Sequence, residues 1–320
     1  MTASPGFQAR PEIYSRGAWL FMRALDPLPW PWGEEILAKL FAAKALIRPS
    51  LLRKALAWAG HYPLAGRSRW RLALSCCAHH GRFVARQALL GIRTPEDLRR
   101  HVILKGEAHL TAASTGAILI GFHVGPPGVA VALRAVGHPV TWMGGVRAFR
   151  TRWNEPWQTF QQASDTLAFS RSSASPAGVL YRARRLLLDG GTLYVAAEGG
   201  SGREAFQVAL PGGSARIRSG WFVLRRHCAV PVLPVLTHLE GLTQVITICP
   251  PLPPPDPDPA RDLEVCRVRL AALLEDYVRR FPEQCYALTF RAGRLSRRRR
   301  AAPARGTTGG SGGACASRRP

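Results

Sequence analysis

The chain predicts an α/β fold: a mixed, mostly parallel sheet flanked by helices, with an N-terminal amphipathic helical region ahead of it. Three features carry this expectation. Uncharged, β-rich segments alternate with helical ones through the middle of the sequence, the pattern of strand–helix–strand units. Two of them, Ala117–Gly121 and Thr192–Ala197, contain no charge and suit strands covered on both faces. Both run into glycine-rich loops, one carrying His123 and the other opening on Glu198. The carboxyl ends of such strands are where open α/β sheets place their chemistry.

Composition narrows the partners. The 320 residues, 47% apolar, are ample for a folded core, and the net charge of +24 calls for an anionic partner or surface. Nine of those charges are arginines from Arg291 onward, in a tail that holds no lysine or acid, so the preceding 290 residues are basic in their own right. No zinc-finger spacing, RNP-like run or basic heptad array accompanies the charge, and nucleic acid is not the expected partner. Anionic lipid headgroups and acidic acyl carriers satisfy the same electrostatics. Seven scattered cysteines, an odd number, argue for a reduced compartment rather than a disulfide framework. Cys77-Ala-His79-His80 has no second ligand pair at a useful spacing, so packing is its expected role and no metal is expected.

The elements follow in order. No signal-peptide pattern is read, because Arg10, Glu12, Arg16 and Arg23 interrupt the start. Residues 1–65 form the helical region: Trp19, Phe21, Met22, Trp30 and Trp32 cluster near prolines. Ile36, Leu37, Leu40, Phe41 and Ala45 then recur at helical spacing beside Lys39, Lys44, Arg48, Arg53 and Lys54. Such interleaving suits either a helix at a bilayer interface or a hairpin packed on the domain. The longest uncharged span, Ala108–Leu133, holds two histidines and Gly-Pro-Pro-Gly, which excludes a single spanning helix.

Residues 66–291 form the α/β domain. Helix is expected within 66–100, with Thr94-Pro95 opening its last piece. Strands are expected at Val102–Leu104, at the stretch before His123, and at Pro139–Met143, with a helix after Gly128. Residues 147–175 read as a loop with a short helix beside the site, and 176–189 as a helix stopped by Gly190-Gly191. Residues 214–229 read as helix, Val230–Leu236 and Thr243–Cys249 as strands, and Leu263–Phe281 as an amphipathic helix. Residues 292–320 are a disordered basic tail.

Four blocks then resemble the lysophospholipid acyltransferase superfamily, specifically the bacterial lipid A biosynthesis (lauroyl/myristoyl) acyltransferases. They are Val102–Leu110 leading to Gly121-Phe-His-Val-Gly125; Leu188–Glu198; Leu210-Pro-Gly-Gly through Pro234; and Phe281-Pro-Glu-Gln-Cys-Tyr286. The resemblance implies a glycerolipid acyltransferase-like fold. It also implies transfer of a fatty acyl chain from acyl carrier protein or acyl-CoA to a hydroxyl of a membrane lipid, at the cytoplasmic face of the inner membrane. No cofactor beyond the acyl donor is implied. In that family a histidine is followed, after four intervening residues, by Asp or Glu. The imidazole takes the acceptor hydroxyl's proton while the carboxylate fixes its tautomer.

Here the count from His123 lands on Gly128, and the acid is missing. Three readings stay open: Glu198 supplies the carboxylate from a neighbouring strand, His123 works alone at reduced rate, or the chain is a non-catalytic relative that binds lipid or partners. On the first, His123 is the base and Glu198 the orienting acid. Gly125, Gly199, Gly200 and Arg203 are substrate-binding candidates, since Glu198–Arg203 loosely resembles the Glu-Gly-Thr-Arg-Ser phosphate-holding block of glycerophospholipid members. Arg216 and Arg218, expected on a helix, are weaker candidates.

Overall fold

The computed structural model describes residues 28, 30–62, 68–89, 95–113, 115–145, 166–169, 176–198, 205–210 and 213–291. It contains the expected α/β architecture. Seven strands form one sheet in the order β1 (Val102–Lys105), β9 (Thr243–Ile248), β8 (Val232–Glu240), β2 (Ala117–Gly121), β5 (Thr192–Ala196), β3 (Thr141–Gly145) and β4 (Thr166–Phe169). Every neighbouring pair is parallel except β8–β9, which a two-residue turn closes as a hairpin.

Strand β2 lies at the centre, and Ile118, Leu119 and Ile120 are fully buried. Each such side chain contributes about 1.5–3 kcal/mol by leaving water. That double-sided burial is why the segment reads as a run without polar interruption. Helix α6 (Val129–Ala135) covers one face together with Leu119 and Leu233. Ile118 and Ile120 face the larger core shared with α7 (Pro176–Leu188), α8 (Gly220–Cys228) and α9 (Pro259–Arg280). Asp258 caps α9, accepting from the Ala260 N–H at 2.9 Å, with Pro259 in the first turn.

The N-terminal helices α1 (Trp30–Ile47) and α2 (Pro49–Ala59) pack on α3 (Arg69–Leu89) and share the larger core through Ala45, Ala55 and Trp58. Helix α1 crosses α3 at Gly81, where a β-carbon would lie 2.6 Å from the Leu37 carbonyl. Beside that crossing, Arg86 and Glu34 form a fully buried ion pair at 2.7 Å. Burial pushes the Glu34 carboxyl up from its ordinary value and the guanidinium opposes it. Apolar residues fall on both faces of α1. Leu37, Ala38 and Ala45 point inward, while Trp32, Leu40, Leu46 and Ile47 are exposed among the described residues, beside Lys39 and Lys44.

Two expectations are corrected. Residues 214–229 are not one helix: Gly213–Arg218 is strand β7, and the helix α8 begins at Gly220. Ala215 and Ile217 face the core while Arg216 and Ser214 face out, a period of two that suits a strand. The hydrogen-bonding partner is β6 (Ala205–Leu210), antiparallel to β7. Arg216 and Arg218 therefore sit on a hairpin and not on a helix. Within the expected loop 147–175, Thr166–Phe169 is the edge strand β4; the rest of that loop lies outside the described residues, as do residues 1–27 and the tail 292–320. Among the described residues no helix is long and apolar enough to cross a membrane.

Candidate active site

Parallel pairing brings the two titratable loops together. Strands β2 and β5 run side by side in register from Ala117–Thr192 to Gly121–Ala196, and the Ala197 N–H extends the ladder to the Gly121 carbonyl at 2.8 Å. His123 and Glu198 therefore leave the sheet at the same edge. One carboxylate oxygen of Glu198, Oε2, accepts the backbone N–H of His123 at 2.5 Å and lies 3.1 Å from its ring Nδ1. A carboxylate only accepts, so in the neutral imidazole this contact puts the proton on Nδ1 and leaves Nε2 its lone pair. The imidazole is about one-third exposed and the carboxylate only 11%.

Among the described residues, the other Glu198 oxygen, Oε1, is buried with no hydrogen-bond partner. An unpaired buried oxygen costs stability. Arrangements of that kind accumulate at sites shaped for chemistry. The negative charge is felt locally: burial pushes the Tyr194 phenol up, and Glu198 pushes it further. Tyr194 lies over Gly121, where a β-carbon would come within 2.0 Å of its hydroxyl.

The loop beyond His123 explains why the acid does not sit at position 128. Gly125 and Gly128 have φ of +68° and +83°, a region that favours glycine, and Pro126-Pro127 lies between them. A Glu side chain at Gly128 would be strained whatever space it found. Gly125 is pressed so close to β8 that a β-carbon would sit 1.7 Å from the Thr237 carbonyl. Its N–H donates to the Gln284 carbonyl at 2.8 Å, so whatever Gly125 offers a substrate is not that N–H.

The remaining candidates are placed unevenly. Gly199, Gly200 and Arg203 lie outside the described residues. Arg218 reaches the edge by its backbone, its N–H donating to the Ala197 carbonyl at 2.7 Å. Burial, with Arg216 next to it, lowers its guanidinium from the ordinary value. The Cys77–His80 group packs as expected: Cys77 is buried, and His80 stacks on Tyr286 and Phe290 at 4.6 and 5.1 Å. Gln284 stands inside a block the sequence singled out, yet nothing in the sequence marked its part in seating the loop.

No family model matches the sequence, and no curated protein matches it. Among solved structures, the fold is similar to the 1-acyl-sn-glycerophosphate (LPA) acyltransferase PlsC of Thermotoga maritima. The TM-score is 0.40 and the identity 12%, over 83% of this chain and 97% of that one. A superposition that loose says nothing about activity.

Proposed function

We propose that this chain is an O-acyltransferase that moves a fatty acyl group from acyl carrier protein or acyl-CoA to a hydroxyl of a membrane lipid. The observation that carries the reading is the His123–Glu198 pair, a partly exposed imidazole beside an enclosed carboxylate at the carboxyl ends of two parallel strands. It supplies from β5 the acid that the resembled family takes from within the histidine loop. In this reading Nε2 of His123 takes the hydroxyl proton as the acceptor oxygen attacks the thioester carbonyl. Glu198 steadies the imidazolium, and the proton returns to the departing thiolate. Gly199, Gly200 and Arg203 would hold the acceptor headgroup.

Peripheral attachment to the cytoplasmic face of the inner membrane belongs to the same reading. Its support is the outer face of α1, where exposed Trp32, Leu40, Leu46 and Ile47 are interleaved with Lys39 and Lys44. Apolar side chains flanked by cations suit an anionic lipid surface. The test is transfer of radiolabelled acyl chains from each donor to a total lipid extract, by wild type and His123→Ala. Transfer by wild type that falls by about 10³-fold or more in His123→Ala is expected. Silence from wild type with intact donors would leave a lipid- or partner-binding relative instead.

A further inference from the structure

Beyond the two residues of the dyad, the structure assigns a positioning role to Gln284: it straps the His123 loop to strand β8 and so sets the attitude of the imidazole. This rests on His123 as the base. Gln284 closes the 3₁₀ turn Pro282–Gln284 that follows α9, and it is buried. Its side-chain amide grips one residue of β8 with two bonds. Oε1 accepts the Leu239 N–H at 2.7 Å, and Nε2 donates to the Leu239 carbonyl at 3.1 Å. With the amide fastened there, the main-chain carbonyl of Gln284 is aimed at the loop and accepts the Gly125 N–H at 2.8 Å. From the other side the loop meets the Thr237 carbonyl, itself held by the Tyr277 hydroxyl at 2.6 Å. Two residues before Gly125 stands His123.

The same turn has other anchors. The Trp58 indole donates to the Pro282 carbonyl at 2.8 Å, and the Phe281 ring stacks on His238 at 4.1 Å. Loss of the Gln284 amide therefore leaves the turn attached and the fold intact, but with its carbonyl free to wander. Gly125 and Pro126 also line a small cleft, with Phe83, Leu239, Gln284 and Tyr286 among its walls. A loop no longer held at Gly125 lets His123 shift against Glu198, and small displacements of a reacting group cost rate steeply.

The experiment has two arms. In protein with ¹⁵N-labelled histidine, with the His123 signal assigned by its absence in His123→Gln, wild type is expected to hold a single Nδ1-protonated tautomer. Gln284→Ala is expected to mix the two tautomers and to speed exchange of the Gly125 amide. In the transfer assay the same variant should lose roughly tenfold or more in kcat with the donor KM little changed. Gln284→Glu, which keeps the acceptor for Leu239 but loses the donor, should fall between, and it carries the test if Gln284→Ala does not fold. A wild-type tautomer signal and a wild-type kcat in these variants would overturn the strap. If wild type transfers nothing, the acyltransferase reading fails by itself, and the tautomer arm alone decides the strap.

Discussion

Two histidine–carboxylate pairs stand at opposite ends of the same sheet. His123 meets Glu198 at 3.1 Å where β2 and β5 end; His138 meets Glu107 at 2.8 Å where β3 begins. Strand β1, which delivers Glu107 through α5 (Glu107–Thr111), pairs parallel with β9, and β9 runs antiparallel to β8. β1 thus points opposite to β2. By distance alone the second pair is the better one. What separates them is enclosure: Glu107 is 58% exposed, whereas Glu198 is 11% exposed and also holds the backbone N–H of His123. An exposed pair of this kind is worth little to the fold or to chemistry. A carboxylate fixed at two points of the same residue holds ring and loop together. The difference is therefore one of preorganisation rather than contact.

The largest effect that sharpens this contrast is on rate. Glu198→Gln should lower acyl transfer by about 10³-fold, because the amide no longer fixes the Nδ1 tautomer or balances the imidazolium. Glu107→Gln, and equally His138→Ala, should leave the rate within about twofold, as expected of a pair at the opposite edge of the sheet from the reaction. Initial rates under identical donor and lipid concentrations decide it. Equal losses at both ends would mean that the enclosure of Glu198 confers nothing.

A smaller effect, on stability, comes from the glycines beside each pair. Gly125 and Gly137 both have positive φ, +68° and +101°, so alanine is strained at either. At Gly137 a β-carbon meets nothing within 4 Å, whereas at Gly125 it meets the Thr237 carbonyl at 1.7 Å. Gly137→Ala should thus cost about 1–2 kcal/mol, the conformational part alone. Gly125→Ala should cost distinctly more and also abolish transfer, because the loop must lift off β8. Urea denaturation midpoints with transfer rates measure both. Similar costs at the two positions would show that the loop yields freely, and would weaken the case for a seated His123.

How much of this was legible beforehand follows from the range of the interactions. Strands β2 and β5 and their terminal residues were readable because burial on both faces removes charge from consecutive positions. Two such strands, each running into a glycine-rich loop, imply a shared edge if they pair. The pairing of His123 with Glu198 was therefore available as one of three readings. The β6–β7 hairpin was not: Ser214–Arg218 is short enough to fit a helix start, and only its register with Ala205–Leu210 decides for strand. Gln284 was hidden for a different reason. Its partners are backbone groups, 45 residues away at Leu239, and backbone groups leave no trace in side-chain identity.

An effect seen only on acidification concerns His79, on the far side of the loop. It lines the cleft against Gly125 and Pro126 and touches the region that Arg86 and Gln284 enclose. Burial, aided by the Arg82 and Arg86 charges, pushes its imidazole down from 6.5 to about 3. The folded state thus keeps His79 neutral where the unfolded chain protonates it. The sign is then fixed: its contribution is fully present above pH 6.5 and is lost progressively as pH falls toward 3, by up to about 1.4 kcal/mol per pH unit within that window. His79→Phe removes the titrating group while keeping a ring in place. Urea midpoints of the two proteins at about pH 7, above the window, and at about pH 5.5 and about pH 4.5 within it, should favour the variant increasingly toward acid. A constant gap would mean that water reaches His79 and that the wall behind the His123 loop is open.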